Sequence, residues 1–364
     1  MIWVDRIHRW TGAFVGLLLA ALGLSGTLLL YEDAWLRATV PHANEPLVAE
    51  VATAGAERLL ADESLQLTSL IFPTESLGLF KVSFAGDGGG YADQAGNLVV
   101  RWSSEWERVE LWLFAFHHDL LMGETGLLLS GVLALIGVGF VLTGVLLWWR
   151  TRKTFAFRVL PERWSRLHIL RHHRDLGVVT TPLLLITILT GAMLTLRPVA
   201  DLLLAPVSPP GTIAESLAPP KIKGGPIDPQ FDWHAMLQTV RSAYGDAQLR
   251  TLSVPRREGQ LVRVRVRQPD EWLPNGRTVL WFDPADGRLI ESRDAHTLPA
   301  ATRAFNLVYP IHASTVGGVV YKVLMTIAGL ALTLLGTLAV YGFWSFKTRR
   351  ALQTSALARQ TRLG

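Results

Sequence analysis

Hydrophobic residues gather in four long runs, Trp10 to Tyr31, Gly126 to Trp149, Val178 to Leu196 and Val319 to Trp344, and only the last contains a charge, Lys322. About 20 apolar residues suffice to cross a bilayer core, so each run predicts a membrane span. Between the first two the pattern changes. Residues 47 to 62 carry apolar positions at helical spacing, and 66 to 72 and 78 to 84 have strand character. A turn from Asp93 to Gly96 follows between two short strands. After a Pro/Gly-rich linker, 205 to 229, the same succession returns: a helix from about Asp232 to Tyr244, strands at 248 to 254, 260 to 268 and 277 to 283, and a hairpin turn at Asp283 to Gly287. The pattern predicts a mainly α membrane protein, a four-transmembrane-helix bundle built from two repeats. Each repeat comprises a span, a small α+β module and a second span.

The repeat extends to individual residues. His8-Arg9 opens the first span, with Gly12 and Gly26 four and eighteen residues beyond the histidine; His173-Arg174 opens the third, with Gly177 and Gly191 at the same intervals. All are offset by 165 positions. Aligning His118 with His312 before the closing spans brings Gly123 onto Gly317 at an offset of 194. Such self-similarity marks one structural unit used twice.

Charge sets the orientation. Arg6 and Arg9 precede the first span, eight arginines and lysines between Arg150 and Arg174 separate the second from the third, and Lys347, Arg349 and Arg350 follow the fourth. The positive-inside rule makes these cytoplasmic, giving N-in, C-in topology with loops 32–117 and 198–318 outside. The predicted boundaries are spans at 1–31, 118–150, 178–197 and 313–346, outer modules at 32–117 and 198–312, a basic loop at 151–177 and a tail at 347–364. Because the basic runs flank apolar helices, the bilayer rather than nucleic acid is the partner they indicate. The first apolar run exceeds a signal-peptide core, and its copy occurs mid-chain, so it is expected to remain as a span. The absence of cysteine excludes disulfides, iron–sulfur clusters and covalently attached haem.

Ionisable groups at a membrane are costly and tend to mark function. The paired histidines predict that His8 meets His173 at the cytoplasmic end if spans one and three are neighbours, and that His118 meets His312 at the outer end if spans two and four are. Two histidines make a poor zinc or di-iron site, yet they are a complete axial set for haem, whose porphyrin supplies four nitrogens. The glycines of the spans, among them Gly12, Gly16, Gly23, Gly26, Gly137 and Gly144, admit a flat macrocycle or another helix. Arg9, Arg171 and Arg174 are candidate partners for propionates. His117 and His172 adjoin the chosen ligands; neighbouring helix positions point about 100° apart, so one of each pair ligates, and repeat alignment selects His118 and His173. Met122 and Lys322 stand in reserve.

With its His8-Arg9-Trp10-Thr11-Gly12 opening, the His118 to Gly123 element, Thr143 to Trp149, the His173 to Gly191 copy, His312 and the two turn-bearing modules, the chain resembles the PepSY-associated transmembrane helix family, the iron-regulated membrane proteins of bacteria. The resemblance implies two PepSY-like periplasmic modules on an inner-membrane protein holding two haems b. It also implies a ferric-siderophore reductase, which passes electrons from the cytoplasmic side and reduces Fe³⁺ to Fe²⁺ for release. Gly86 to Gly90 lacks a following helix, so it is no dinucleotide fingerprint, and the donor is expected to be quinol or a cytoplasmic flavin reductase. The competing reading is a non-enzymatic membrane protein whose modules bind or restrain a periplasmic partner. A permease is disfavoured, since spans nearly free of charge offer little lining for a polar path. One geometric demand remains: a straight helix from His118 to Trp149 would reach roughly 46 Å, so a break at Gly123 to Gly126 is predicted.

Overall fold

The computed structural model describes residues 1–360 apart from Pro226 and Glu258, without the side chains of 346–360. The basic residues of the predicted tail 347–364 therefore lie outside the described side chains. The elements begin with α1 (Ile2–Leu29), α2 (Glu32–Thr39) and α3 (Ala49–Ala61), followed by strands β1 (Leu67–Ile71), β2 (Phe80–Phe84), β3 (Gly89–Ala92) and β4 (Leu98–Trp102). Next are α4 (Val109–Asp119), α5 (Gly123–Thr151), α6 (Arg166–Thr195), α7 (Arg197–Leu204), α8 (Thr212–Leu217) and α9 (Trp233–Ala243). The chain closes with β5 (Gln248–Ser253), β6 (Val262–Arg267), β7 (Thr278–Phe282), β8 (Leu289–Arg293), α10 (Ala300–Asn306), α11 (Val308–His312) and α12 (Gly318–Gln360). Two compact units result: residues 1–30, 113–197 and 317–364 form the first, and 31–112 with 198–316 the second.

The first unit contains four helices long and apolar enough to span a membrane. α1 packs on α12 and more lightly on α5, and α6 packs on α5 and α12, so α1 and α6 stand diagonally across the bundle. Spans one and three are thus opposite rather than adjacent. Glycine sets the α1–α12 contact: a Cβ on Gly16 would lie 2.9 Å from the Gly336 carbonyl oxygen, and one on Gly23 would lie 2.7 Å from that of Gly329. Thr333 donates across the same seam to the Ala20 carbonyl (3.1 Å), and Trp344 Nε1 donates to that of Ala13 (3.1 Å). The glycines read from sequence as room for a macrocycle or a helix serve, at Gly16 and Gly23, as helix contacts. Val141, Leu176, Leu184, Ile188, Ala331 and Leu335 fill the junction of α5, α6 and α12.

The break predicted at Gly123 to Gly126 is present and begins three residues earlier, at Leu120. Leu120 and Leu121 take φ of 56° and 61°, Gly123 follows at 59°, and α5 starts afresh there. A Cβ at Gly126 would overlap the Asp119 carbonyl, so glycine is needed where the new helix folds against the end of α4. The helices of the first unit also outrun the apolar runs. α6 begins at Arg166, inside the predicted loop 151–177, because a helix continues past the point where its residues turn polar.

In the second unit the predicted separate modules merge. Their strands form one antiparallel eight-stranded sheet in the order β4-β3-β2-β1-β5-β6-β7-β8, reading the same from either edge. The joint is the β1–β5 pair, where Leu70 opposes Leu252 and both are fully buried. Each module alone would expose an unpaired edge; joining edge to edge satisfies both. α3 and α9 cover one face of the sheet over a core that includes Ala56, Leu59, Val82, Leu237, Val264 and Phe282. On the opposite face of the first half, α2 packs Leu36 and Val40 against Tyr91 and Trp102. The Pro/Gly-rich linker contains a short helix, α8, where an irregular chain is predicted.

Candidate functional site

His8 is the seventh residue of α1 and His173 the eighth of α6, so both lie within helices rather than before them. Across the bundle their rings stand 6.3 Å apart, centre to centre, with planes at 86°. Phe140 from α5 closes one side, its ring centre 5.1 Å from that of His8. Nδ1 of His8 lies 2.7 Å from Thr143 Oγ1, whose own proton goes to the Gly139 carbonyl at 2.6 Å. The hydroxyl therefore accepts from Nδ1–H, which fixes the tautomer and leaves the Nε2 lone pair for a ligand. On His173, Nδ1 is buried with no hydrogen-bond partner among the described residues, while the Leu335 backbone lies against the ring.

The space around the pair differs from the α1–α12 seam. A Cβ on Gly144 would come no closer than 3.8 Å to His8 Cε1, and one on Gly177 no closer than 3.8 Å to a Leu335 methyl. No group of three or more His, Cys, Asp or Glu among the described residues is placed to hold a metal ion. An ion between these rings would have to bring further ligands with it. Metal–imidazole bonds of about 2 Å separate the ring centres by roughly 6 Å when two imidazoles share one ion, which is the separation seen. The pair, the available nitrogen on each ring and the small-residue surroundings fit a haem.

At the other end of α1 the adjacent histidines divide differently from the repeat alignment. His117 turns inward: Nδ1 lies 3.0 Å from Ser25 Oγ and 3.1 Å from the Leu22 carbonyl, and the ring packs on Gly26, where a Cβ would lie 2.7 Å from Cε1. His118 turns outward, stacked on Phe114 at 5.4 Å with Nδ1 3.2 Å from Asp119. His312 ends α11 in the second unit and is partly buried.

His172 is buried with neither ring nitrogen hydrogen-bonded among the described residues, although the Asp175 carboxylate and the Arg158 backbone act on it. Arg174 has local partners: Nε pairs with Asp175 at 2.6 Å, and its terminal nitrogens hold Thr154 at 2.8 Å. Arg9 pairs with Asp5 at 3.5 Å. Met122 is exposed and Lys322 partly buried. Ser25, whose hydroxyl holds the His117 imidazole, carries no prediction from the sequence, and Thr143 enters it only as the first residue of the Thr143 to Trp149 run. Their signal is a hydroxyl residue directly before a glycine inside an apolar run, Ser25-Gly26 and Thr143-Gly144.

A bundle of four membrane-length helices carrying inward-facing histidines, joined in sequence to an antiparallel sheet unit, defines a multi-pass membrane protein. Residues 6–346 match the model of the PepSY-associated TM region, and the chain belongs to that family. No curated protein matches it.

Proposed function

We propose that the protein is a haem-dependent inner-membrane reductase, N-in and C-in, that carries electrons from the cytoplasmic face to a periplasmic ferric-siderophore. The observation that carries this reading is the His8–His173 pair, two imidazoles spaced for one ion at one end of a helix bundle. Haem b, when bound, supplies a reversible one-electron carrier. The chain's own residues orient the site. Thr143 fixes the His8 tautomer, Phe140 packs edge-on against the His8 ring, the Leu335 backbone acts on the His173 ring, and α1 and α6 carry the two ligands.

Spacing along α1 supports a path across the membrane. From His8 to Gly26, against which His117 packs, is eighteen residues. At 1.5 Å per residue this is about 27 Å, close to the thickness of a hydrocarbon core. The second haem of this reading belongs at the outer end of the first unit, where His117, turned onto Ser25 and Gly26, is the candidate ligand ahead of His118. Electrons enter from quinol or a cytoplasmic flavin reductase. Iron leaves as Fe²⁺, which siderophores hold more weakly.

The test is the purified protein's absorption spectrum after haem-sufficient expression, followed by chemical reduction and addition of ferric chelates. Soret and α/β bands that reoxidise on addition of a ferric-siderophore support the reading. A haem-free protein refutes it.

A further inference from the structure

The second half of the sheet carries a cleft that the proposed electron path does not use. In β6 the sequence alternates Val262-Arg263-Val264-Arg265-Val266, and the valines are buried in the core beneath α3 and α9. Successive side chains on a strand point to opposite faces, so Arg263 and Arg265 stand on the other face. The ladder places them in two rows: Arg265 opposite Val279 opposite Arg293, and Arg263 opposite Trp281 opposite Glu291. Arg277 lies two residues before Val279. Ser216 and Leu217 of α8, with Leu298, complete a small, partly open cleft of about 60 Å³.

Four guanidiniums line this cleft and, among the described residues, no carboxylate does. Glu291 pairs with Arg293 at its edge, and Glu271, held by the backbone N–H groups of Gln268 and Arg277, acts on Arg265 from nearby. Arg293 also lies over the Trp281 ring at 4.8 Å and donates to the Ser216 carbonyl at 3.1 Å. Arg265 donates one terminal nitrogen to the Gly276 carbonyl, while its Nε is buried with no acceptor among the described residues. Its guanidinium is drawn down to about 9, first by burial and then by Arg277 and Arg263. Such mutual repulsion is relieved by an anion.

The fold does not require this arrangement. In the corresponding ladder row of the first half, Ser83 opposes Gly89 opposes Trp102, and the Trp102 ring lies over Gly89, where a Cβ would come within 2.8 Å of it. One half of the sheet plugs the position with an indole; the other sets two arginines there and leaves it open.

We propose that this cleft binds an anionic ligand bearing two or more carboxylates, each recognised by a separate guanidinium. Arg265 on β6 and Arg293 on β8 stand on either side of β7, with Arg263 and Arg277 beside them, so several forks line one cleft, which suits a ligand with more than one carboxylate. Resting on the reductase reading, the substrate class becomes the ferric chelates of carboxylate-type siderophores.

Calorimetric titration of the full chain in detergent with citrate, and separately with inorganic phosphate, tests the site. Citrate should bind, weaken with added salt, and lose at least tenfold in affinity on Arg265→Gln. Arg265→Lys keeps the charge without the fork and should still weaken citrate, which preserves the test if the glutamine variant fails to fold. No citrate binding at millimolar concentration, an unchanged affinity in the folded variants, or phosphate binding as tight as citrate would overturn the assignment. The haem spectrum of the same samples separates the two readings. Haem without citrate binding removes the cleft proposal and leaves the reductase; citrate binding without haem does the reverse.

Discussion

Ser25 Oγ on α1 lies 3.0 Å from His117 Nδ1 at the end of α4, holding that imidazole toward the interior of the first unit while its neighbour His118 stays exposed. Rotation along a helix makes the two positions inequivalent. His117→Ala is therefore expected to remove the outer haem signal, and His118→Ala to leave it. Low-temperature spectra of the two variants, each compared with wild type, decide between them; loss only in His118→Ala would restore the choice made by repeat alignment.

The α1–α12 seam is set by backbone contact at glycine. Gly16→Ala forces a methyl to 2.9 Å from the Gly336 carbonyl oxygen, and neither backbone can yield cheaply. A loss of about 1–3 kcal/mol is expected, the usual cost of overpacking. Gly139→Ala meets nothing within 4 Å, so it should be neutral or gain up to about 1 kcal/mol from helix propensity. Thermal unfolding in detergent should rank the two variants in that order.

In the second unit His296 bridges Asp270 and Asp294, with Nε2 2.9 Å from the first and Nδ1 3.0 Å from the second. The Asp270 hydrogen bond is the main cause of its raised pKa, and Asp294 adds to it. A raised imidazole stabilises the folded form fully below its unfolded value of about 6.5, and that stabilisation is lost as pH rises through the folded value. The melting temperature of wild type should therefore exceed that of His296→Gln most at acidic pH, with the gap closing toward pH 8.5. A gap that widens with pH would contradict the linkage.

Much of this architecture was legible in the sequence. The four spans and nearly every strand were marked by hydropathy and alternation, and the Asp93 and Asp283 turns by their glycines. The merging of two modules into one sheet was not, because strand alternation shows which face is buried but not which edge is paired. Leu70 and Leu252 look like ordinary core residues until the ladder joins them. The diagonal placement of α1 and α6 was hidden for a similar reason, since apolar runs give no neighbour order. His8 and His173 were readable through their 165-residue offset, whereas choosing His117 over His118 requires the break at Leu120–Leu121, and leucine carries no signal for a positive φ.

The central claim is that His8 and His173 hold one haem. The most direct measurement is a quantitative pyridine haemochrome assay of wild type, His8→Ala and His173→Ala, each purified from haem-sufficient cells and checked for folding by circular dichroism. The account predicts haem in wild type and the loss of one equivalent in each single variant, with no further loss in the double variant. Unchanged haem content in both single variants, or a wild-type protein that takes up none, would contradict it.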